Sequence, residues 1–208
     1  DLMGPDCFLS SQNSGRYTQF NTYTIANTDG YASGIWLNSY ACIKNANIII
    51  NSGLAITNDN ISQLLSEAYA ARAMVHFDLI RNFAKPFSDN PEGPGVPILL
   101  TFDQTGKPSR STIKQVYTQV IADLTKAISL GKYNAGDVMT FSSTGQSRSI
   151  NSSFIGKYAI KALLARVYQN MGDWTNALST SLDVINNSGF TLEPSNGVVS
   201  YWKGTDPR

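Results

Sequence analysis

One stretch of the sequence decides the fold: Tyr158-Ala-Ile-Lys-Ala-Leu-Leu-Ala-Arg-Val-Tyr-Gln-Asn-Met-Gly-Asp-Trp-Thr-Asn-Ala-Leu-Ser-Thr-Ser-Leu-Asp-Val-Ile185. Apolar and aromatic residues recur at helical spacing on both sides of Gly172, which predicts two helices joined by a tight turn. Asp173 is a good N-cap for the second helix, because its carboxylate can accept hydrogen bonds from the free N–H groups of the next turn. Gly189 can close that helix in the left-handed conformation.

Each helix of this hairpin has an apolar face that we expect to be buried. The first face comprises Ile155, Tyr158, Ala159, Ala162, Leu163, Val167 and Met171. The second comprises Trp174, Ala177, Leu178, Ser181, Val184 and Ile185. The order Ala165, Tyr168, Gly172, Trp174, Ala177 also matches the signature of a tetratricopeptide repeat. An ordinary helical hairpin of an unrelated bundle is the alternative. Tetratricopeptide units stack into arrays that hold other molecules, so the motif favours a scaffold or binding protein over an enzyme.

The composition of the 208 residues limits the classes of function. The net charge is +1, which gives no argument for binding nucleic acid or an anionic membrane surface. Charged residues make up 15% of the chain, and Asn, Ser and Thr are abundant, as is common in exported proteins. No apolar run reaches the roughly 18 residues that a membrane-spanning helix needs. Cys7 and Cys42 pair in one interpretation, and in the other Cys42 is a buried free thiol.

Two further amphipathic helices are expected in the first half of the chain. The first covers 33–51, and Asn47 on its buried face should bond to backbone or to a neighbouring helix. The second starts near Asn60, with Gln63 as its capping-box partner, and runs to Phe83.

Arg72 and His76 lie on the buried face of the second predicted helix. We expect Arg72 to pair with a carboxylate from a neighbouring helix. His76 is the single histidine and has no Cys, Asp or Glu at ligand spacing on its own helix face. It is therefore interpreted as a hydrogen-bonded histidine of the core, and no metal site is predicted.

A third amphipathic helix follows a long loop. The loop covers 84–111 and contains five of the eight prolines, which exclude a helix there. The helix starts at Thr112, where Gln115 completes a capping box, and ends at Gly131. A second loop is predicted at 132–151.

Residues 1–32 are polar and aromatic, without an amphipathic pattern. In one interpretation their rings pack back onto the helices. In the other they form a ligand platform, because aromatic faces with amide and guanidinium donors suit sugar rings and hydroxyls. The candidate substrate-binding residues are Arg16, Tyr17, Phe20, Asn21 and Tyr23.

Most catalytic motifs are absent from the sequence. There is no glycine-rich phosphate loop and no Gly-x-Ser-x-Gly elbow, so no cofactor is predicted. A single histidine inside a helical stripe argues against a Ser-His-Asp triad. A pair of facing carboxylates, as glycoside hydrolysis requires, stays possible among the loop residues Asp29, Asp89, Glu92, Asp103 and Asp137. We nevertheless expect a protein that is not an enzyme.

Six short motifs occur in one order along the chain. They are Trp36-x3-Tyr40-x2-Ile43-x2-Ala46-Asn47, Glu67-Ala-x3-Arg72-Ala73-x2-His76-Phe77-x-Leu79-x-Arg81-x-Phe83, Gly95-Val-Pro97, Pro108-Ser-Arg110-Ser-Thr112, Val116-Tyr117-x3-Ile121-x-Asp123-Leu124-x2-Ala127, and Ala162-Leu-Leu-Ala-Arg166-Val-Tyr168 with Gly172-Asp-Trp174, Ala177, Val184-Ile185 and Gly189-Phe-Thr-Leu192. Together they resemble the SusD/RagB-like nutrient-binding outer-membrane lipoproteins of Bacteroidetes. The resemblance implies an all-α fold of stacked tetratricopeptide-like hairpins, an α/α superhelix with long irregular loops.

The resemblance also implies how the chain is divided. We expect one helical-repeat domain over 1–208, with an N-terminal loop region at 1–32, the repeat core at 33–192 and a shortened tail at 193–208. Family members are longer, so the chain is expected to be truncated to the repeat core.

The function that the resemblance implies is non-catalytic binding of an oligosaccharide, or of a peptide in some members. The protein would lie on the extracellular face of the outer membrane and deliver its ligand to a TonB-dependent, SusC-like transporter. It would meet the membrane through a lipid anchor that this chain does not contain. A tetratricopeptide adaptor that binds a peptide in a concave groove is one alternative, and a glycoside hydrolase is another.

Overall fold

The structure is a computed structural model. It describes residues 9–10, 12–26, 28–101, 106–134, 136–142, 144–149 and 154–192. The helices within these residues are α1 (Thr18–Asn21), α2 (Gly30–Ile50), α3 (Asp59–Phe83), α4 (Ile113–Leu130), α5 (Lys157–Met171) and α6 (Trp174–Asn187). Two short antiparallel strands, β1 (Val138–Thr140) and β2 (Ser147–Ser149), pair between α4 and α5. The predicted all-α class is therefore confirmed.

The long helices pack in the order of the sequence. Helix α3 lies between α2 and α4, α5 packs on α4, and α6 packs on α5. This arrangement of consecutive antiparallel neighbours is the one that stacked helical hairpins produce. The core is centred on α3 and α4, and its largest fully buried side chains include Phe77, Leu79, Ile80, Ile113 and Leu124.

Side-chain caps begin four of the helices, α2, α3, α4 and α6, and two of the predicted caps are correct. Thr112 Oγ1 accepts from the Gln115 N–H at 3.2 Å, and Gln115 Oε1 accepts from the Thr112 N–H at 2.9 Å, which completes the capping box of α4. Asp173 Oδ1 accepts from the Asn176 N–H at 3.1 Å and caps α6. Gly189 has a φ of +76°, the left-handed conformation expected just after that helix.

The predicted capping box at Asn60 and Gln63 is wrong. Asn58 caps α3, since its Oδ1 accepts from the Ile61 N–H at 3.0 Å. Asn60 and Gln63 instead bond to the segment that follows α4. Asn60 Nδ2 donates to the Thr140 carbonyl, and Gln63 Oε1 accepts from the N–H groups of Lys132 and Tyr133.

The loop predicted at 132–151 contains the β1–β2 hairpin, which the sequence reasoning missed. Arg148 on β2 donates two hydrogen bonds to the Glu67 carboxylate, at 2.6 and 3.2 Å. Glu67 lies on the same face of α3 as Asn60 and Gln63, at positions i, i+3 and i+7. This polar face of α3 therefore holds the whole segment in place.

One buried network joins α2, α3 and α4. The Arg72 guanidinium donates to both oxygens of Asp123 at 2.8 and 2.7 Å, and to Asn47 Oδ1 at 2.8 Å. Asn47 Nδ2 donates in turn to the Leu99 carbonyl at 3.0 Å. Both predictions for these residues, a carboxylate partner for Arg72 and a structural amide at Asn47, are confirmed. Because a bidentate Arg–carboxylate pair has a fixed geometry, it sets the register of α3 against α4.

The long proline-rich loop is held against the core by backbone contacts and by Arg110. Gly95 donates its N–H to the Ser111 carbonyl at 2.8 Å, and Arg110 donates to the carbonyls of Phe83 and Gly95. A Cβ added at Gly95 would lie 3.0 Å from the Ser111 oxygen and 3.1 Å from the Ile113 nitrogen. The backbone approach at this point is therefore possible only for glycine.

The hairpin formed by α5 and α6 differs from the predicted packing. The α5 residues that are buried are Ile160, Leu164, Ala165 and Val167. In α6 only Ala177 is buried, whereas Trp174 is 67% exposed, Leu178 62% and Ile185 69%. The prediction that the apolar face of α6 is buried is wrong for the described residues, because α5 covers only one side of this helix and no other described element packs on it.

No helix of the described residues has both the length and the hydropathy that a membrane span requires.

Candidate functional site

The N-terminal candidate residues lie on a short segment packed beside the start of α2. Tyr17, Phe20 and Tyr31 form what we term the N-terminal aromatic cluster. The ring centroids of Tyr17 and Tyr31 are 4.9 Å apart, those of Phe20 and Tyr31 5.9 Å, and those of Tyr17 and Phe20 6.5 Å. These tilted and edge-on arrangements are the ones that aromatic pairs prefer. The structure thus brings together two of the predicted site residues, Tyr17 and Phe20. The third ring of the cluster, Tyr31, was not among the predicted site residues.

Two of the candidate tyrosines have an unusual backbone conformation. Tyr17 has a φ of +62° and Tyr23 a φ of +55°, in the left-handed region. Bulky residues are rarely found there, and each costs of order 1 kcal/mol or more. Tyr17 is 39% exposed and Tyr23 68% exposed. The strained backbone at these two residues is therefore not compensated by burial of their rings. Both rings are accessible to a ligand.

Asp29 attaches this segment to α2. Its Oδ2 accepts from Gln19 Nε2 at 2.9 Å, and its Oδ1 accepts from the N–H groups of Tyr31 and Ala32. The hydrogen bond from the Ala32 N–H is the main reason why the pKa of Asp29 lies below its ordinary value. The carboxylate is therefore used as the N-cap of α2, and it orients α1 through Gln19.

The remaining candidates are also exposed. The side chains of Arg16 and Asn21 are exposed at the two ends of the turn that carries Tyr17 and Phe20. The Arg16 carbonyl accepts a hydrogen bond from Asn13 Nδ2, which shapes the turn before α1. The segment thus presents rings together with guanidinium and amide donors, a combination suited to a polyhydroxylated ligand.

A separate cavity of about 480 Å³ lies between α2 and the 98–108 loop. Three of its lining residues, Tyr40, Lys44 and Asn47, come from α2, and Tyr40 and Asn47 have partners in the loop backbone. Tyr40 Oη donates to the Pro97 carbonyl at 2.9 Å, and Asn47 is bonded as described above. Burial raises the pKa of the Tyr40 hydroxyl, so that it stays a neutral donor. Tyr40 and Asn47 therefore hold the loop against α2 at this cavity.

His76 has no catalytic environment. The residue is 1% exposed, and its Nδ1 lies 3.0 Å from the Arg72 carbonyl oxygen. A carbonyl can only accept, so Nδ1 carries a proton. Burial lowers the pKa of His76, which favours the neutral form of the ring. The interpretation of His76 as a hydrogen-bonded core residue is confirmed.

Several loop carboxylates have structural partners. Asp29 is a helix cap, Glu92 lies 3.3 Å from Lys114 Nζ, and Asp137 accepts from the Asn134 N–H. Asp103 lies outside the described residues. Within the part of the chain that the structure describes, no three His, Cys, Asp or Glu side chains are grouped as metal ligands. Cys42 is a free, half-buried thiol, and Cys7 lies outside the described residues.

The comparison with protein families decides the identity. A SusD-like family, described as "Starch-binding associating with outer membrane", matches residues 5–169, which is most of the chain. The chain belongs to the SusD-like family. The matched range includes the N-terminal aromatic cluster and ends at Gln169, three residues before the turn between α5 and α6.

Individual SusD-like relatives agree with the family match. SusD-like protein P2 of Formosa agariphila is 30% identical over 187 residues, which are 87% of this chain and 33% of that protein. A SusD superfamily protein of Bacteroides thetaiotaomicron is 29% identical, with a TM-score of 0.73, over 91% of this chain and 40% of that one. Another from Bacteroides vulgatus is 24% identical, with a TM-score of 0.76, over 92% of this chain and 42% of that one. This chain thus spans between 33% and 42% of the length of these relatives.

The contacts in the structure show that several of the motif residues are structural. Arg72, Asp123 and Asn47 form the buried network, and Arg110 lies over the Trp36 ring at 5.8 Å while it donates to two loop carbonyls. All these residues stabilise the framework. The candidate residues of the N-terminal segment are not part of this framework, and Tyr17 and Tyr23 are exposed. Tyr31 could have been included from its spacing, since it is the second residue of α2 and lies two positions after the Asp29 cap.

Proposed function

We propose that this SusD-like chain is the helical framework, and part of the ligand surface, of a protein that binds oligosaccharides at the cell surface. The observation that carries the proposal is an exposed aromatic segment within a family described as starch-binding. Sugar rings present apolar C–H faces that stack on tyrosine, and their hydroxyls bond to amide and guanidinium groups. The N-terminal aromatic cluster, with Arg16, Asn21 and Tyr23, supplies each of these groups.

The proposed activity is binding without chemistry. Covalent or acid–base catalysis needs a nucleophile or a base within reach of the substrate. The one histidine is buried and neutral, and the loop carboxylates Asp29, Glu92 and Asp137 have structural partners. The bound glycan would be delivered to a TonB-dependent, SusC-like transporter, with the whole protein attached to the outer membrane by a lipid. A lipid-attachment signal upstream in the gene and an adjacent transporter gene would support this arrangement.

Titration of maltoheptaose and of a panel of other oligosaccharides by isothermal calorimetry tests the binding site. We expect Tyr17→Ala and Tyr23→Ala each to weaken binding by about 1–3 kcal/mol, the range for an aromatic stacking partner. Trp174→Ala is the matched control for Tyr23→Ala, since the two residues are almost equally exposed, at 67% and 68%, but Trp174 lies on α6. Binding that is unaffected by both tyrosine substitutions would place the site elsewhere. Release of new reducing ends during the titration would show a glycoside hydrolase instead.

A further inference from the structure

Helix α1 is too short to be stable without contacts to the rest of the chain. It has four residues, and none of them is buried. Ordering a single helical turn costs more conformational entropy than its few hydrogen bonds offset. The left-handed conformations of Tyr17 and Tyr23, on either side of α1, add strain. Contacts outside α1 must therefore hold the segment that carries the candidate ligand residues.

A hydrogen bond from Gln19 connects this segment to α2. Other hydrogen bonds of the segment are local, such as the one from Thr22 Oγ1 to the Thr18 carbonyl. Gln19 Nε2 instead donates to Asp29 Oδ2 at 2.9 Å, and Asp29 is the N-cap of α2. Gln19 is half-buried between the two helices that it joins.

Asp29 is a fixed acceptor for this bond. Its Oδ1 accepts from the N–H groups of Tyr31 and Ala32 at 2.8 and 3.1 Å, so the carboxylate is held at the start of α2. Ring contacts such as that between Tyr17 and Tyr31 tolerate a range of tilts, whereas a hydrogen bond to a charged acceptor is short and directional. The Gln19 bond is therefore the contact that fixes the direction of α1.

We propose that Gln19 is a positioning residue of the ligand surface, which holds the Tyr17 and Phe20 rings against Tyr31 through its bond to Asp29. This role rests on the proposed function, since it concerns the same surface. When the arrangement that binds a ligand is only partly populated, the apparent affinity falls by that fraction. Loss of the Gln19 bond should therefore weaken glycan binding, although all the rings are still present.

The variant Gln19→Met removes the donor and keeps a side chain of similar length. Its first measurement needs no ligand: nuclear Overhauser effects between selectively labelled tyrosine rings. The Tyr17 and Tyr31 rings, with centroids 4.9 Å apart, should give such effects in the unsubstituted chain, and Gln19→Met should reduce them by about half or more. In calorimetric titration with maltoheptaose, Gln19→Met should bind about tenfold more weakly, the effect of losing a hydrogen bond to a charged group.

Gln12→Met is the matched control, because it makes the same substitution in the same segment. Gln12 is exposed and bonds to Ser10 Oγ through its backbone N–H, which the substitution keeps. Gln12→Met should change neither the ring contacts nor the affinity. Both variants should keep the urea midpoint of the unsubstituted chain, since α1 has no buried residue.

Gln19→Glu tests the hydrogen bond itself by making it depend on pH. At pH 7.5 the new carboxylate repels Asp29, so glycan binding should be about as weak as in Gln19→Met. Two carboxyl groups this close cannot both ionise easily, so one pKa rises and a shared proton restores a hydrogen bond as the pH falls. The affinity of Gln19→Glu should therefore recover by about tenfold between pH 7.5 and 5.

The unsubstituted chain and Gln19→Met should show no such recovery. In the unsubstituted chain the hydrogen bond from the Ala32 N–H is the main reason why the pKa of Asp29 lies below its ordinary value, so Asp29 stays ionised over this range. Arg16 is the other charged residue between 9 and 32, and its charge does not change over this range either.

Three results would overturn the positioning role of Gln19. They are unchanged ring contacts in Gln19→Met, unchanged affinity in Gln19→Met, and weak binding by Gln19→Glu that does not recover at pH 5. If the unsubstituted chain binds none of the glycans, the proposed function fails instead. The ring contacts of Gln19→Met then decide alone whether Gln19 positions the aromatic cluster.

Discussion

Two helix pairs in this protein are each joined by one ion pair, yet their environments differ. Between α3 and α4, Arg72 and Asp123 are 5% and 3% exposed and lie within the main core. Between α5 and α6, Lys161 donates to Asp183, and these side chains are 18% and 36% exposed. The α3–α4 pair has helices on both sides, whereas α6 has a described neighbour only on one. The comparison shows that an amphipathic sequence predicts a helix, but the neighbours decide which apolar residues are buried.

The largest expected effect is at the buried ion pair. Arg72→Met leaves the Asp123 carboxylate buried with only Gln119 as a polar partner, at 2.9 Å. We expect the free energy of unfolding to fall by about 3–5 kcal/mol, the range for removing one member of a buried pair. Urea denaturation followed by circular dichroism measures the change.

The more exposed of the two ion pairs supplies the control for this substitution. Lys161→Met should lower the free energy of unfolding by no more than about 1 kcal/mol, because solvent screens the charges and the lysine is replaced by a similar volume. The pKa of Asp183 lies below its ordinary value chiefly through the hydrogen bond from Lys161, so the substitution should also raise that pKa. Equal losses of stability at the two sites would contradict the distinction between the helix pairs.

The same distinction explains how much of the fold could be predicted from the sequence. The helices, the Thr112 and Asp173 caps and the pairing of Arg72 follow from local pattern or from a charge that needs a partner. The burial of α6 did not follow, since it depends on what lies beside the helix. The β1–β2 hairpin was missed because Arg148 and Glu67 are 81 residues apart, and no local signal connects them.

Less of the candidate site could be predicted. The residue types on the N-terminal segment indicated sugar-binding chemistry, but composition does not place rings relative to one another. The structure brings Tyr17 and Phe20 together through Tyr31, a residue of α2 rather than of the loop. The ligand-binding roles of all five candidates, Arg16, Tyr17, Phe20, Asn21 and Tyr23, stay predictions, and the titration above tests those of Tyr17 and Tyr23.

The second prediction concerns the close packing beside α4. Gly95→Ala places a methyl group 3.0 Å from Ile80 Cδ1 and equally close to the Ser111 carbonyl oxygen. The Ile80 side chain can move, but the Ser111 backbone is fixed by its hydrogen bonds to Gly95 and Val96. We expect a loss of about 1–3 kcal/mol in the free energy of unfolding, as for other overpacked sites.

Gly34→Ala is the matched control, since a Cβ at Gly34 meets nothing within 4 Å in α2. This substitution should stabilise the protein by about 0.5–1 kcal/mol, because alanine loses less backbone entropy in a helix. The free energy of unfolding should therefore fall for Gly95→Ala and rise for Gly34→Ala. A fall for both variants would mean that α2 is less open to solvent at Gly34 than the structure shows.

The third prediction uses pH to separate the two helix pairs. Burial lowers the pKa of His76 in the folded chain below the 6.5 of the unfolded chain. Below about pH 6.5 the unfolded chain binds a proton that the folded chain does not, so the free energy of unfolding falls as the pH falls. The slope is at most about 1.4 kcal/mol per pH unit and ends at the folded pKa of His76.

The α5–α6 pair should respond in a different pH range. The pKa of Asp183 is lowered from 3.8, so its contribution to stability is lost only as the pH falls below about that value. Urea denaturation between pH 7.5 and 5 should therefore show the His76 slope, and His76→Gln should remove it. Arg72 and Asp123 also face His76, with opposite effects on its pKa, so a slope that persists in His76→Gln would assign the titration to another group.

The smallest effects are expected at the two helix caps, and they test whether α6 unfolds separately. Removing either cap should cost about 0.5–2 kcal/mol locally. Thr112→Ala acts on α4, whose buried face belongs to the core, so the loss should appear in full in global urea denaturation.

Asp173→Ala acts on a helix with one buried residue, and such helices can open locally at a lower free energy than global unfolding requires. Its loss should appear mainly as faster hydrogen exchange of 174–187, with little change in the global midpoint. If Asp173→Ala lowered the global free energy of unfolding by the full amount, α6 would unfold together with the core. The helix would then be as cooperative with the core as α3 and α4 are, despite its exposed face.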